Sequence, residues 1–198
     1  LDDYPGLEEG KKLQITGIEG AVTNIVSTKA NPLSFFNVRA NIAHDTVAKA
    51  TGELNLQESP LQWDVDSQMQ GFDLSSINKF LKRKVPLTFT KGKLDFYAEA
   101  KSQKGKVEGY VKPFLKDIDV VKSNEDFKGP KHWLIEVVTA MGNLVMRAED
   151  KKSVATRIPF SMDKKGVHVD TGEALEKAIE HGYEEKLSPG IEGKFDLK

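Results

Sequence analysis

The chain has 198 residues, with 29 Lys and Arg against 30 Asp and Glu, and it contains no Cys. A formal net charge of −1 gives no overall field that would attract nucleic acid or an anionic membrane surface, so nucleic acid is not an expected partner. The absence of Cys excludes disulfides, thiol nucleophiles and Cys-based zinc sites. No apolar run of about 18 residues occurs, and the first ten residues, LDDYPGLEEG, lack the basic end and apolar stretch of a secretory signal.

The length fits one domain, and we treat residues 1–198 as a single β-rich unit. It could divide into a main sheet with one short helix, residues 1–121, and a helix–hairpin–helix–strand extension, residues 122–198. Because the chain begins without Met, in a polar segment with Pro and Gly, we expect it to be a fragment of a longer protein. Any membrane anchor would then lie outside this chain.

Alternation of apolar and polar residues with a period of two predicts the strands. The clearest run is residues 61–69, LQWDVDSQM, and similar runs occupy residues 36–42, 48–56 and 93–100. Each run has one apolar and one polar face, which is typical of an antiparallel sheet. Turn residues between the runs indicate hairpins and a meander. Strands of this length would each span about 30 Å, so we expect a long, curved sheet.

Three segments change to helical periodicity. The first is Asp73–Lys84, the second Lys131–Ala148 and the third about Gly172–Lys186. Asp73 or Ser75 can cap the first helix. The predicted fold class is therefore α+β: a long, curved, mostly antiparallel sheet, meander or half-barrel in form, with three amphipathic helices packed on or capping its apolar face.

The region around the third helix predicts two further β elements. Residues 154–162 and 167–170 are expected to form a short hairpin, and the alternating residues 191–197 a terminal strand that returns to the sheet.

Residues that could carry catalysis or bind a metal are scattered. His44 and Asp45 form the one adjacent His/Asp pair, and we place them in a turn where exposed polar residues are expected. Two pairs of carboxylates stand two residues apart, Asp64 with Asp66 and Asp117 with Asp119, but charges alternating on the wet face of a sheet explain both pairs. We therefore predict no catalytic residue, no metal site and no cofactor, and we expect the protein not to be an enzyme.

Lys112 and Pro113 interrupt an apolar run in the stretch GKVEGYVKPFLKDIDVV, residues 105–121. Proline has no N–H to donate to a β-ladder, and the apolar pattern resumes after it with its phase shifted by one. We therefore expect a bulge or a sheet edge at Pro113, and we interpret Lys112 as a solvated charge at the end of a strand.

The remaining candidate for function is the apolar face of the sheet. Its large side chains, the ligand-facing candidates, are Phe36, Val38, Leu61, Trp63, Val65, Met69, Leu94 and Phe96. The three helices could cover this face and form a closed core. Alternatively, part of it could stay open as a groove for acyl chains, because large exposed apolar surfaces usually mark binding sites. The pattern alone favours the closed core.

The order of several strand-and-turn motifs resembles the AsmA-like envelope proteins of Gram-negative bacteria, and in particular the C-terminal region of a branch of domains of unknown function. The motifs are GELNL (52–56), FDLSSIN (72–78), GKLDF (92–96), GKVEGYVKP (105–113), VATRIPFS (154–161) and PGIEGKFDL (189–197). The resemblance covers about residues 40 to 197, and none of these motifs has catalytic content.

The resemblance implies a periplasmic module of a protein tethered to the inner membrane by a segment absent from this chain. Its apolar sheet face would contact acyl chains of phospholipid or another lipid, in lipid transport or homeostasis of the envelope. The alternative is a closed-core module in envelope assembly that binds no lipid and docks an envelope protein, with an edge strand as its docking surface. One module with strands of about 30 Å does not by itself span an envelope.

Overall fold

The computed structural model of the protein describes residues 14–25, 33–43, 45–78, 87–122, 153–163, 166–169, 187–195 and 197. These residues form one sheet of nine strands and a short 3₁₀ helix. The strands are β1 (Ile15–Thr23), β2 (Leu33–Ile42), β3 (Thr46–Asn55), β4 (Gln62–Asp73), β5 (Leu87–Gln103), β6 (Lys106–Lys122), β7 (Ser153–Ala155), β8 (Ile158–Asp163) and β9 (Gly166–Val169). The 3₁₀ helix, Leu74–Ile77, lies between β4 and β5.

The strand order across the sheet is β1-β2-β3-β4-β5-β6-β8-β9, and β7 pairs with β6 on the same edge as β8. The first six strands thus form an antiparallel meander. The longest, β5 and β6, have 17 residues each, which corresponds to about 56 Å per strand at about 3.3 Å per residue. They are joined by Lys104 and Gly105, whose φ angles of +52° and +76° are those that a type I′ hairpin requires.

The predicted α+β class is wrong, because the described residues are almost entirely antiparallel sheet. Of the first predicted helix, Asp73–Lys84, the described part contains a four-residue 3₁₀ turn at Leu74–Ile77, and residues 79–84 lie outside the described residues. Asp73 caps this turn as predicted, since its carboxylate accepts the N–H of Ser75 at 2.9 Å. The side chain of Asn78 then exchanges two hydrogen bonds with the backbone of Phe89 in β5, at 2.6 and 2.8 Å, so it serves as a strand partner and ties the end of the turn to the sheet.

The other two predicted helices, Lys131–Ala148 and Gly172–Lys186, lie outside the described residues. The predicted hairpin is present as β8 and β9, with β7 as a separate short strand before it. The predicted terminal strand is not formed: residues 191–195 make no β-ladder, and their backbone N–H groups bond to side chains of the sheet instead.

The strand β6 runs unbroken through Pro113, so the predicted bulge or edge at this residue is wrong. The register between β5 and β6 is continuous from Lys93 opposite Lys116 to Gln103 opposite Lys106, and its shifts lie beyond Lys93. The missing N–H of Pro113 is accommodated on the other edge of β6. There β7 ends at Ala155 and β8 begins at Ile158, and a single bond from the Thr156 N–H to the Pro113 carbonyl, 3.3 Å long, spans the interruption.

Directly paired residues of an antiparallel sheet project from the same face, so the register divides the side chains into two sets. The apolar face comprises Phe36, Val38, Ala50, Gly52, Trp63, Val65, Met69, Leu94, Phe96, Ala98, Val111, Leu115 and Phe160. The polar face comprises Thr51, Asp64, Asp66, Gln68, Asp95, Tyr97, Glu99, Lys101, Tyr110, Lys112 and Phe114.

The polar face, and not the apolar face, contains the most deeply buried large side chains of β5 and the first half of β6. Glu99 and Tyr110 are 0% exposed, Tyr97 is 2% and Lys112 is 3%. On the apolar face, burial is concentrated at Phe72, Leu115 and Ile158, toward one end of β4 and along β6. The functional site must therefore be sought on both faces.

Candidate functional site

Seven of the eight apolar candidates project from the apolar face, as the alternation predicted. Phe36 and Val38 come from β2. Trp63, Val65 and Met69 come from β4, and Leu94 and Phe96 come from β5. Met69 and Phe96 are directly paired. Leu61 immediately precedes β4, and its carbonyl oxygen accepts a 3.4 Å hydrogen bond from the Ser102 hydroxyl.

None of these eight side chains is fully buried. Val38 is 38% exposed and Leu61 is 44% exposed, and the other six are half-buried. A strip of small residues crosses the face between them, because Ala50, Ser67 and Ala98 are paired across three neighbouring strands. Larger side chains border the strip, with Met69 and Phe96 in one adjacent row and Phe36 and Val65 in the other. We call this strip with its larger neighbours the trough. Val38 and Val111 stand at its two ends, and the bordering rows also contain Ala48, Gly52 and Ala100.

A glycine fixes one aromatic wall of the trough. Phe36 is paired with Gly52, and a Cβ placed on Gly52 would lie 2.7 Å from Cε1 and 2.8 Å from Cζ of the Phe36 ring. The ring therefore lies directly over the glycine backbone, where any other residue would displace it. The same arrangement recurs where Phe160 in β8 covers Gly109 in β6.

On the polar face, a segment that we call the strap, residues 187–195, crosses β5 and β6. Its anchor is the Glu99 carboxylate, which accepts three consecutive backbone N–H groups of the strap. Gly193 donates to Oε1 at 2.8 Å and Lys194 to Oε2 at 2.7 Å, and Glu192 also donates to Oε1. Gly193 has φ +64°, a left-handed conformation that glycine adopts freely and that turns successive N–H groups toward one anion. The Tyr110 hydroxyl in β6 donates a fourth bond to Oε1.

A second carboxylate, Glu192 in the strap, gathers three cations. Its Oε1 lies 3.2 Å from Lys112 Nζ, and its Oε2 lies 3.3 Å from Arg157 Nε and 2.8 Å from Lys194 Nζ. The Arg157 guanidinium also stacks over the Tyr110 ring, 4.2 Å from the centroid. We call Glu99, Tyr110, Lys112, Arg157 and Glu192 the polar cluster.

The strap also contributes apolar contact. The Phe195 ring lies 6.2 Å from the Tyr110 ring at an interplanar angle of 34°, and Lys101 Nζ lies 5.6 Å from the Phe195 centroid. Together with the polar cluster, these contacts account for the burial of Glu99, Tyr110 and Lys112 on a nominally wet face.

The pKa shifts follow from this burial and pairing. Burial raises the pKa of Glu99, but the hydrogen bonds from Tyr110 and from the backbone of Lys194, Gly193 and Glu192 outweigh it and hold the pKa below its ordinary value. Burial also raises the pKa of Glu192, yet its contacts with Lys194, Lys112 and Arg157 lower it overall. The Tyr110 hydroxyl has a raised pKa because it is buried and bonded to Glu99.

Asp66, directly opposite Glu99 on β4, shows the opposite shift. Burial, and then the charges of Glu99 and Asp64, raise its pKa to about 6. Three carboxylates therefore neighbour one another on β4 and β5, but within the described residues no group of three or more His, Asp or Glu side chains is arranged to hold a metal ion.

The interpretation of Lys112 as a solvated strand-end charge is wrong. The residue lies inside β6, is 3% exposed and is paired with Glu192, 80 positions along the chain. A sequence signal for this burial did exist: Tyr97, Tyr110 and Phe114 are large aromatic residues at positions of the polar face. The strap contacts themselves had no local signal, because both partners of each bond are distant in sequence.

The other residues considered from the sequence do not converge. His44 lies outside the described residues, and Asp117 and Asp119 are exposed on β6. Asp64 accepts the backbone N–H of Glu53 at 3.1 Å, which is a structural use of its carboxylate.

Comparison of the chain with family models, with curated proteins and with solved structures finds no match. Within the described residues, no helix has the length and apolar character needed to cross a membrane.

Proposed function

We propose that this chain is a non-enzymatic module whose apolar sheet face binds lipid acyl chains. The module would belong to a membrane-anchored envelope protein, where it would act in lipid transport or homeostasis. The resemblance to AsmA-like proteins suggests the periplasm as its compartment, with an inner-membrane tether outside this chain.

The observation that carries the proposal is the trough on the apolar face. Its floor is made of small residues, its borders are Phe36, Val65, Met69 and Phe96, and its side chains are half-buried and not fully covered. From β2 to β6 the face is about 19 Å wide, since neighbouring strands lie about 4.8 Å apart. An apolar surface of this extent on a chain with 30% charged residues is unusual unless it contacts an apolar ligand or partner.

Trp63 provides a direct probe of the proposal. In a Trp133→Phe background it is the only tryptophan, so we expect its fluorescence to be quenched by phospholipids with brominated acyl chains. Native mass spectrometry of the protein purified from a Gram-negative host should also detect bound phospholipid. Absence of both quenching and bound lipid would refute the proposal.

A pair of matched variants locates the binding face. Val38→Asp places a carboxylate on the exposed part of the apolar face, and Asn37→Asp places the same charge one residue away on the opposite face. We expect the first to abolish quenching of Trp63 and the second to leave it unchanged, with circular dichroism confirming that both variants fold. Equal effects of the two would show that the lipid does not use the apolar face.

A second candidate function, docking of an envelope protein through β1, is favoured by one observation. All nine residues of β1 are exposed, including Ile15 at 55%, Ile18 at 68% and Val22 at 49%, and within the described residues β1 pairs with β2 alone. Such an edge can accept another strand. Ile18→Lys should then release a co-purifying envelope protein that Thr16→Lys retains, and retention by both variants would exclude this surface.

A further inference from the structure

We propose that Lys112 and the strap form a second binding site, on the polar face, for a small organic anion: a carboxylate with a short apolar body. The site lies on the opposite side of the sheet from the trough, so it does not rest on the proposed function. It is built from β6 and the strap and requires no residue of the apolar face.

The site is an open depression of about 400 Å³, within the range of small-molecule sites. The described residues that line it are Lys112, Leu187, Ser188, Pro189, Gly190, Ile191 and Glu192. The lining therefore combines the ion-paired residues Lys112 and Glu192 with strap residues, three of which are apolar. The depression joins one charged corner to an apolar surface.

Lys112 has hydrogen-bonding capacity left for a ligand. Its side chain is 4% exposed, and among the described residues its one hydrogen-bond acceptor is Glu192 Oε1, at 3.2 Å. The Tyr110 ring, 6.0 Å from Nζ, adds a cation–π contact but accepts no conventional hydrogen bond. An ammonium group has three donors, and a buried one is stabilised when all of them meet acceptors. Two donors of Lys112 can therefore serve an oxyanion.

The local charge favours an anion over a cation. Glu192 is approached by Lys112, Arg157 and Lys194, so three positive charges converge on one carboxylate. The charge of Glu99 is directed instead to the strap N–H groups and the Tyr110 hydroxyl. Lys112, Arg157 and Lys194 thus carry three positive charges against the two negative charges of Glu99 and Glu192, so a bound carboxylate would balance this excess and would occupy the free donors of Lys112.

The apolar lining selects the body of the ligand. Leu187, Pro189 and Ile191 line the depression, and of these Pro189 is exposed at the rim. Inorganic phosphate or acetate would leave these side chains in contact with water, whereas a carboxylate carrying a short alkyl chain would cover them and gain about 0.8 kcal/mol per buried CH₂. Octanoate is the probe that follows from this geometry.

The experiment is an NMR titration of the whole chain with octanoate, acetate and octanol, read at the Ile191 methyl groups and the Lys112 ammonium nitrogen. We expect octanoate to give saturable shifts at both positions and to bind at least about tenfold more tightly than acetate or octanol. The Ile191 methyl groups and the Lys112 nitrogen both lie at the depression, so binding of octanoate to the apolar face would shift other signals and would not be mistaken for binding here. Failure of octanoate to saturate by about 10 mM, or equal binding of octanol, would overturn the proposal.

Variants supply the matched controls. The double substitution Lys112→Met with Glu192→Gln removes both partners of this ion pair together, and it leaves Arg157 and Lys194, whose side chains are 30% and 59% exposed, without the Glu192 carboxylate. Because the ammonium donors are lost, it should weaken octanoate binding by about tenfold or more. Lys106→Met removes an exposed cation from the same face of the same strand and should change nothing. Should the double variant fail to fold, Pro189→Asp at the exposed rim gives an independent test, because its carboxylate should repel the anion and weaken binding severalfold. Unchanged affinity in Pro189→Asp would contradict the site, and Val38→Asp on the apolar face should leave it intact.

Discussion

Replacing Glu99 with Gln should detach the strap from the sheet. The substitution preserves the shape of the side chain but removes its charge and turns one carboxylate oxygen into an NH₂ donor. Oε1 accepts from Tyr110, Glu192 and Gly193, whereas Oε2 accepts from Lys194 alone. The amide oxygen of Gln is therefore expected on the Oε1 side, which places its NH₂ group against the N–H of Lys194.

This geometry sets the size of the stability loss in Glu99→Gln. The NH₂ group of the introduced Gln and the N–H of Lys194 are both donors, so the hydrogen bond that joined this N–H to the side chain is lost. An N–H left without an acceptor beside a buried side chain costs about 1 to 3 kcal/mol. The three bonds that remain change from charge-assisted to neutral, and each loses about 1 kcal/mol. Removing the desolvation cost of a carboxylate that is 0% exposed offsets part of this loss. We expect Glu99→Gln to lower the free energy of unfolding by about 2 to 5 kcal/mol.

Urea denaturation measures the loss, and hydrogen exchange at the amides of residues 192, 193 and 194 shows whether the strap is released. Glu108→Gln is the matched control, because it makes the same substitution at an exposed residue of the polar face, on the neighbouring strand. We expect the control to stay within about 0.5 kcal/mol of the wild-type chain. If Glu99→Gln were no more destabilising than Glu108→Gln, or if the three amides kept their protection, the Glu99 carboxylate would not be what anchors the strap.

Three further predictions concern pH and packing. The pKa of Asp66, about 6, lies above its ordinary 3.8, so ionisation of this carboxyl lowers the stability of the folded protein as the pH rises from 3.8 through about 6. The Asp66→Asn variant should therefore have a higher urea midpoint than the wild type at about pH 7.5 and show no gain near pH 4. Glu99 and Glu192 have pKa values below their ordinary 4.5, so the stability that they contribute is present above pH 4.5 and is lost as the pH falls through the pKa values of the folded protein. In an acid titration, the Glu99→Gln variant should therefore lose less stability than the wild type as the pH falls. An equal slope for the two proteins would contradict this. Gly109→Ala should lower the free energy of unfolding by about 2 kcal/mol or more, because the added Cβ would collide with the Glu99 carbonyl oxygen and lie only 2.9 Å from Ala100 Cα. Thermal or urea unfolding measures this loss. A neutral result would mean that β5 and β6 can move apart at little cost.

The strands were predictable because alternation is a local property of the chain. The runs at 36–42, 48–56, 61–69 and 93–100 lie in β2 to β5 and extend at most one residue beyond them, but the strands are longer than the runs: β5 begins at Leu87 and ends at Gln103. The first predicted helix shows the limit of a local pattern. After Asp73 the apolar spacing fits a helix, yet Asn78 pairs with the backbone of Phe89, a contact across 11 residues that no local pattern encodes.

The apolar face could be assigned residue by residue from the sequence, but the polar cluster could not. Alternation determines which side chains share a face, and it assumes that the polar set is the solvated one. Here Glu99 and Lys112 are buried with partners that lie 94 and 80 positions away in the chain. The bulge or edge predicted at Pro113 was wrong for a similar reason, because the effect of the missing N–H falls on a distant part of the chain. The strands beside β6 are interrupted between Ala155 and Ile158, and β6 itself is unbroken.

The two faces of the sheet are linked through stability. A single sheet layer that leaves one face half-exposed forgoes part of the hydrophobic burial that usually stabilises a domain. On β5 and β6 the strap compensates from the opposite side, because Phe195 packs against Tyr110 and the strap gives Glu99 and Lys112 partners. On the apolar face of the same two strands, Leu115 is buried, whereas Leu94 and Phe96 are half-exposed. Under the proposed function, an acyl chain would contact these half-exposed side chains, and the sheet would not have to unpack first.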